Sequence, residues 1–179
     1  MGKSLLIDID GVVAQYDFPK LTEKYFGVKI PNGKIFTYSL EDTLGVSTKK
    51  ILDMFANEVF ASPNLVPGAV QSLRQFISKG YDVFIHTNRL MWMSPTELAD
   101  WLDKYDIPYH DIITEGYMPD YVYAHVDDSP RKLLNIAEET KVVHSILFSR
   151  PWNLGCLDIY RKFERARNWT EVRSIINGG

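Results

Sequence analysis

The chain has 179 residues, of which 45% are hydrophobic and 24% are charged, and this composition is ordinary for one globular domain with a sizeable core. The net charge of −3 gives no support for nucleic acid as the main partner, and no apolar run is long enough to cross a membrane. The single Cys156 excludes an internal disulfide, and the amino terminus lacks the pattern of a signal peptide, so we expect a cytoplasmic protein.

The first predicted element is a short buried strand at residues 5–7, and two acids follow it directly. Asp8 and Asp10 stand one residue apart, before Gly11, which allows a sharp turn. In a parallel α/β sheet the loops beyond the carboxyl ends of the strands form the binding crevice. We therefore expect both acids at this edge. A simple turn also favours Asp and Gly, so the assignment depends on partners further along the chain.

The segment 17–64 interrupts the alternation of strands and helices. A short helix is predicted from Pro19 to Phe26, ended by Gly27, and a second from a capping Ser47 through Phe60.

From residue 65 onward, strands and helices alternate. The predicted helices are 68–79, 95–105, 130–139 and a tail from Leu157, and the predicted strands are 81–85, 111–114, 121–126 and 142–148. Serine followed by proline, at Ser94 and Ser129, marks two of the helix starts. The alternation predicts an α/β fold, a doubly wound (Rossmann-like) parallel sheet flanked by helices on both faces.

Polar residues follow two later strands of this predicted sheet. Thr87 and Asn88 come after one strand, and Asp127 and Asp128 come after another. An acid pair, a hydroxyl with an amide and a second acid pair at one edge together suit a divalent cation and a phosphate group.

This ordered set resembles the haloacid dehalogenase-like phosphohydrolase superfamily, with Asp8-Ile-Asp-Gly-Val as the first motif, Thr87 as the second and Asp127-Asp128 as the fourth. Within it, the chain is most similar to the 5′(3′)-deoxyribonucleotidases, on the following segments: 8–14, Tyr16, Phe60, 65–69, 87–88 and 150–153. The resemblance implies a small helical cap inserted after the first strand. The core would then comprise residues 1–16 and 65–179, and the cap residues 17–64.

The arrangement suggests a mechanism in which Asp8 attacks a phosphate monoester and forms an aspartyl-phosphate. Asp10 would act as general acid to the leaving alcohol and then as general base for water. Mg²⁺ would be held by Asp8, the backbone carbonyl of Asp10, and either Asp127 or Asp128. Thr87 would bind phosphoryl oxygens.

The third motif of the superfamily is a lysine or arginine between the second and fourth motifs, and the only one in residues 90–126 is Lys104. It lies at the far end of the predicted helix 95–105, about 15 Å from the start. Better placed basic residues are Arg89, Arg131, Lys132 and Arg150. We favour Arg89 or Arg131 as the stand-in that binds phosphate together with Thr87 and Asn88, although each arginine could equally be a solvated surface charge.

The sequence therefore predicts a Mg²⁺-dependent phosphomonoesterase acting on a (deoxy)nucleoside monophosphate or another small phosphate ester. The resemblance implies that Tyr16 and Phe60 contact the nucleobase. The alternative is a silent relative that binds a phosphorylated ligand without turnover, which the missing lysine would favour. No nucleic-acid or membrane partner is expected. A homodimer is compatible with a small cap, although no stripe of residues indicates one.

Overall fold

The computed structural model describes residues 2–30, 44–55, 57, 64–113, 118–154 and 163–178. The strands in these residues are β1 (Lys3–Ile7), β2 (Ala14–Gln15), β3 (Asn64–Leu65), β4 (Tyr81–Ile85), β5 (Asp111–Ile112), β6 (Tyr121–Asp127), β7 (Lys141–Phe148) and β8 (Glu164–Ala166). The helices are α1 (Phe18–Phe26), α2 (Thr48–Met54), α3 (Ala69–Ser78), α4 (Pro95–Lys104), α5 (Pro130–Glu139) and α6 (Trp169–Gly178).

Six of these strands form one parallel sheet in the order β5-β4-β1-β6-β7-β8. The chain moves outward from β1 in both directions, which is the doubly wound arrangement, and the predicted fold class is confirmed. Because β1 is central, the loop that follows it lies between the loops that follow β4 and β6.

Helices cover both faces of the sheet because successive side chains of β1 point to opposite faces. Leu5 and Ile7 pack in the larger core with side chains of α3, α4 and α6. Leu6 packs on the opposite face with Ile136 of α5. Each of these side chains of β1 is fully buried.

The serine-proline signals mark two helix starts at the predicted positions. Ser94 accepts a hydrogen bond from the backbone of Glu97, whose side chain accepts one from the Ser94 backbone, so α4 has a complete capping box. The Ser129 side chain accepts from the backbone N–H of Lys132 at the start of α5. That cap fixes the first turn of α5 directly behind the carboxyl end of β6.

The predicted cap segment is described in part. The helix predicted to end at Gly27 is present as α1, and the second helix is described as α2, whereas Phe60 lies outside the described residues. The ribbon formed by β2 and β3 stands at the predicted boundary of the insertion. The division into core 1–16 and 65–179 and cap 17–64 stays a prediction.

One element of the tail differs from the prediction. The sequence predicts a helix from Leu157 onward, and residues 157–162 of that prediction lie outside the described residues. Residues 164–166 instead form β8, which pairs in parallel with β7, and α6 runs from Trp169. Ala166 is fully buried, and its backbone carbonyl accepts a hydrogen bond from the backbone N–H of Ser149. This edge strand is a consequence of packing, since three residues carry too little pattern to indicate a strand. Within the described residues, we find no helix both long and apolar enough to span a membrane.

Candidate active site

The carboxyl ends of three adjacent strands bring four buried polar side chains to one edge of the sheet. Asp8 follows β1, Thr87 follows β4 after one residue, and Asp127 ends β6 with Asp128 next to it. All four are nearly or completely buried. The sequence prediction that the first, second and fourth motifs share one edge therefore agrees with the positions of these side chains.

Lys132 lies between the two acidic segments. Its Nζ is 2.9 Å from Asp8 Oδ1 and 2.9 Å from Asp127 Oδ2, and it is also 3.5 Å from the backbone carbonyl of His86. The lysine side chain is 14% exposed, and that of Asp127 is completely buried. Lys132 thus contacts the residue predicted as nucleophile and one of the two predicted metal ligands at the same time.

An ammonium at this position can neutralise Asp8 and an approaching phosphate, which is the role that the resemblance implies for a third-motif lysine, although Lys132 follows the fourth motif in the sequence. The sequence places Lys132 near this edge but favours Arg89 or Arg131 as the stand-in, because an arginine can pair bidentately with phosphate. A local signal for Lys132 is nevertheless present. It lies three residues after the capping Ser129, and side chains in the first turn of a helix that follows a strand lie at the crevice.

The pKa values of Asp8, Asp127 and Asp128 are shifted in different directions. Burial raises the pKa of Asp8 to about 7, with the charges of Asp127 and Asp10 adding to the effect and Lys132 opposing it. Burial would raise the pKa of Asp127 too, but Lys132 and His125 hold it at about 2. Burial, Asp127 and Asp8 raise the pKa of Asp128 well above its ordinary value. Without a further cation, Lys132 alone does not supply enough positive charge to keep all three buried carboxyl groups ionised.

A metal ion would supply the positive charge that these carboxyl groups lack. Carboxylate oxygens of Asp8, Asp127 and Asp128 all lie within 4.8 Å of one another. An all-oxygen set of this kind suits a hard cation such as Mg²⁺, which binds through a few carboxylates and retains water molecules. The residues present therefore fit the predicted metal.

The two neighbouring acids have different surroundings. Asp127 Oδ1 accepts from the backbone N–H of Ser129, and its Oδ2 lies beside Lys132 and 3.4 Å from His125 Nε2. Asp128 Oδ2 accepts from Trp152 Nε1 at 2.7 Å. Asp127 Oδ1 thus accepts a hydrogen bond and its Oδ2 lies beside an ammonium, whereas among the described residues only one oxygen of Asp128 has a protein donor, so Asp128 has more capacity left for a metal.

His86, His125 and Asp127 also lie close enough to share an ion. However, the ammonium of Lys132 already contacts the same Asp127 oxygen, and it disfavours a second cation there. Burial, with Lys132 and His125, lowers the pKa of His86 to about 4, so His86 is neutral at physiological pH. We interpret the two histidines as packing behind the acidic residues.

The loop after β1 approaches Asp128 so closely that only glycine fits at position 11. Gly11 has a φ of +83°, and an added Cβ would overlap Asp128 Oδ2. The carbonyl of Gly11 accepts from Arg150 Nε. Asn153 donates to the backbone carbonyl of Asp128, which places the segment after β7 against the same acid.

Asp10 has a different partner from the other acids. Its carboxylate accepts two hydrogen bonds from Arg89, Nε to Oδ2 at 2.9 Å and Nη2 to Oδ1 at 2.8 Å. The hydroxyl of Tyr16 donates to Oδ1 at 2.6 Å. The predicted phosphate ligand Arg89 and the predicted nucleobase contact Tyr16 are therefore both bound to Asp10, and their contacts with substrate stay predictions.

The remaining predicted phosphate ligands lie at the same edge with unequal exposure. Thr87 Oγ1 is buried and accepts from the backbone N–H of Arg89 at 3.3 Å, so its own proton can be donated to a ligand. Asn88 and Arg131 are exposed. Their roles in phosphate binding stay predictions.

Comparisons with known proteins agree on the family. The model of the family described as 5′ nucleotidase, deoxy (pyrimidine), cytosolic type C protein matches residues 3–178. A protein from Chlorobaculum tepidum, provisionally described as a 5′(3′)-deoxyribonucleotidase, is 26% identical over 125 residues, or 66% of this chain. The match spans only 58% of the length of that relative.

Solved structures show the same fold. A predicted phosphatase from Clostridium acetobutylicum superposes with a TM-score of 0.68 at 11% identity, covering 100% of both chains. A haloacid dehalogenase-like hydrolase from Streptococcus pneumoniae gives a TM-score of 0.61 at 15% identity, covering 97% of this chain and 98% of its own. At these identities the likeness concerns the fold alone.

Proposed function

Because the chain belongs to the family of 5′ nucleotidase, deoxy (pyrimidine), cytosolic type C proteins, we propose that it is a Mg²⁺-dependent phosphomonoesterase acting on a (deoxy)nucleoside monophosphate. The observation that carries the proposal is the bridging position of Lys132 between Asp8 and Asp127. A cytoplasmic location is part of the proposal and is supported by the word cytosolic in the family description.

In this proposal Asp8 Oδ attacks the phosphorus atom, and the bond from phosphorus to the ester oxygen breaks. Lys132 offsets the charge of Asp8 and of the phosphoryl group as the two anions approach. Thr87 donates its hydroxyl proton to a phosphoryl oxygen. Asp10 protonates the leaving alkoxide and then removes a proton from the water that releases phosphate from Asp8.

Mg²⁺ would be held by Asp8, the backbone carbonyl of Asp10, and Asp128. We choose Asp128 over Asp127 because the Asp127 carboxylate already contacts the backbone N–H of Ser129 and the ammonium of Lys132. When bound, the ion supplies the additional positive charge that lets an anionic nucleophile meet a phosphate dianion. Asp127 then serves to hold Lys132 in place.

A silent binding module is less well supported once Lys132 is considered. That alternative depends on the missing third-motif lysine, and Lys132 occupies a position from which it can fulfil the same role. A protein that only bound a phosphorylated ligand would have no need for the buried Asp8 at hydrogen-bonding distance from a buried ammonium.

The proposal is tested by phosphate release from a panel of deoxy- and ribonucleoside monophosphates and sugar phosphates, with Mg²⁺ and with a chelator. We expect metal-dependent turnover that Asp8→Asn abolishes. Lys104→Met serves as the matched control, because Lys104 is an exposed residue at the end of α4. An active Asp8→Asn variant, or an inactive wild-type protein on every substrate, would contradict the proposal.

A further inference from the structure

Arg89 is a charged side chain in the interior of the protein. It belongs to the short 3₁₀-helix Asn88–Met91 that follows the predicted phosphate-binding Thr87, and it has 0% of its surface exposed. Burying a guanidinium is costly unless it is paired with an anion and with hydrogen-bond acceptors. The anion is the carboxylate of Asp10, which is 31% exposed. Arg89 therefore approaches Asp10 from the interior, while part of Asp10 stays open to the outside.

Two aromatic residues fix the orientation of the guanidinium. Its central carbon lies 3.9 Å from the ring centroid of Trp101 in α4, a cation–π distance. Its Nη2 donates to the hydroxyl of Tyr16 at 2.5 Å, and that hydroxyl in turn donates to Asp10 Oδ1. Asp10, Arg89 and Tyr16 thus form a closed triangle of hydrogen bonds that sets the plane of the Asp10 carboxylate.

The two oxygens of Asp10 are not equivalent in this triangle. Oδ1 accepts two hydrogen bonds, one from Arg89 Nη2 and one from Tyr16. Among the described residues, Oδ2 accepts only the bond from Arg89 Nε. Since a carboxylate oxygen offers about two acceptor sites, Oδ1 is saturated and Oδ2 retains one site for a further proton.

We propose that Arg89 and Tyr16 are positioning residues that hold Asp10 so that its Oδ2 carries the transferred proton. The inference rests on the proposed function, because it assigns a specific atom to the acid and base steps. In the first step the proton on Oδ2 moves to the ester oxygen as its bond to phosphorus breaks and the bond from Asp8 to phosphorus forms. In the second step water attacks phosphorus, its proton moves to Oδ2, and the bond from Asp8 to phosphorus breaks.

The two steps depend on Asp10 to different degrees for different leaving groups. p-Nitrophenolate is a weak base and leaves without receiving a proton, whereas the alkoxide of a nucleoside 5′-monophosphate requires one. Hydrolysis of the aspartyl-phosphate requires Oδ2 as base in both cases. If Asp10 loses its fixed orientation, an aryl phosphate should therefore still phosphorylate Asp8, and the phosphorylated protein should accumulate.

The test uses Arg89→Lys in the full chain with Mg²⁺, and it compares p-nitrophenyl phosphate with a nucleoside 5′-monophosphate. Lysine keeps the charge but cannot donate two parallel hydrogen bonds to a carboxylate. We expect steady-state kcat on both substrates to fall about 100-fold, the usual scale for a catalytic group that has lost its alignment. With the aryl ester we also expect a burst of p-nitrophenol and a phosphorylated protein, detected by mass spectrometry after acid quenching.

Two further variants separate positioning from general damage. Tyr16→Phe removes one hydrogen bond to Oδ1 and little volume, so it should give a smaller fall in kcat of the same kind. Arg74→Lys makes the same replacement in an exposed ion pair with Asp106, and it should leave both steps unchanged.

The outcomes distinguish this inference from the proposed function. If wild-type protein turns over and both Arg89→Lys and Tyr16→Phe slow the two substrates without a burst or phosphorylated protein, the assignment of Oδ2 is wrong and the proposed function stands. Unchanged kinetics in both variants would also overturn the inference that Arg89 and Tyr16 position Asp10. If wild-type protein shows no turnover of any ester, the proposed function itself fails.

Discussion

Lys132→Met is the substitution that most directly tests the electrostatics of the site. Methionine has a similar length and no charge, so the change removes the ammonium while largely retaining the buried stem. Asp8 and Asp127 would then lose the cation that lies 2.9 Å from each. Both carboxylates are buried, and they would remain as neighbouring anions without compensation.

The magnitude follows from the burial of the pairs. Removing one partner of a buried ion pair typically costs about 3–5 kcal/mol, because the remaining charge stays desolvated. We expect a fall of this size in the free energy of unfolding at pH 8 in the presence of a chelator. The loss should be smaller at pH 5. Since removal of Lys132 raises the pKa of Asp8 above its value of about 7, Asp8 is protonated at pH 5 and carries no charge that needs compensation.

The assay is urea denaturation of Lys132→Met and of the control Lys104→Met, at both pH values. Turnover with Mg²⁺ provides an independent reading. We expect kcat/KM to fall about 100- to 1000-fold, the scale seen when one preorganised charge partner is removed. The acidic limb of the pH–rate profile should also move to higher pH, because Asp8 must be ionised to attack. If Lys132→Met matches Lys104→Met in both stability and turnover, the role given to Lys132 is wrong.

Three further predictions concern the metal site. Because burial and neighbouring acids raise the pKa of Asp8 and Asp128, protons compete with the cation for these carboxyls. Mg²⁺ should therefore raise the melting temperature more at pH 8 than at pH 5. If Mg²⁺ raises the melting temperature of Asp128→Asn as much as that of wild type, Asp128 is not a ligand. Gly11→Ala should lower the free energy of unfolding by about 1–3 kcal/mol and weaken Mg²⁺ binding, because the added Cβ would overlap Asp128 Oδ2. A Mg²⁺ affinity equal to that of wild type in calorimetric titration would contradict this prediction. Trp152→Phe removes the hydrogen-bond donor to Asp128 and should weaken Mg²⁺ binding about tenfold. An unchanged Mg²⁺ affinity would contradict this role of Trp152.

The sheet and most helix starts can be predicted because their signals are local. Short, mostly apolar runs indicate the central strands, and a serine followed by proline indicates the first turns of α4 and α5. The strand β8 cannot be predicted in this way. Its three residues are ordered by pairing with β7 and by the burial of Ala166, and neither is visible in a short window of sequence.

The acids of the site can be predicted because each follows a strand, whereas the basic residues cannot. An arginine is most often exposed, so sequence alone gives no reason to expect Arg89 in the interior with Asp10 as its partner. Lys132 does not stand out among the basic residues near this edge, because an arginine can pair bidentately with phosphate and is therefore the more obvious stand-in. Its contact with Asp8 joins residues 124 positions apart, and only the parallel pairing of β1 with β6 brings them together.

The position of Lys132 places much of the charged site on one turn of the chain. Asp127, Asp128 and Lys132 all belong to the junction of β6 with α5, where the Ser129 cap holds the first helical turn and the backbone N–H of Ser129 binds Asp127. A lysine from a separate element would need its own packing to be held at the same distance from two carboxylates. Here a displacement of the junction moves the acids and the lysine together, so their mutual geometry is preserved while their position relative to Asp8 changes. The contact between Lys132 and Asp8 is therefore where the site is most sensitive to changes in the packing of α5 on the sheet.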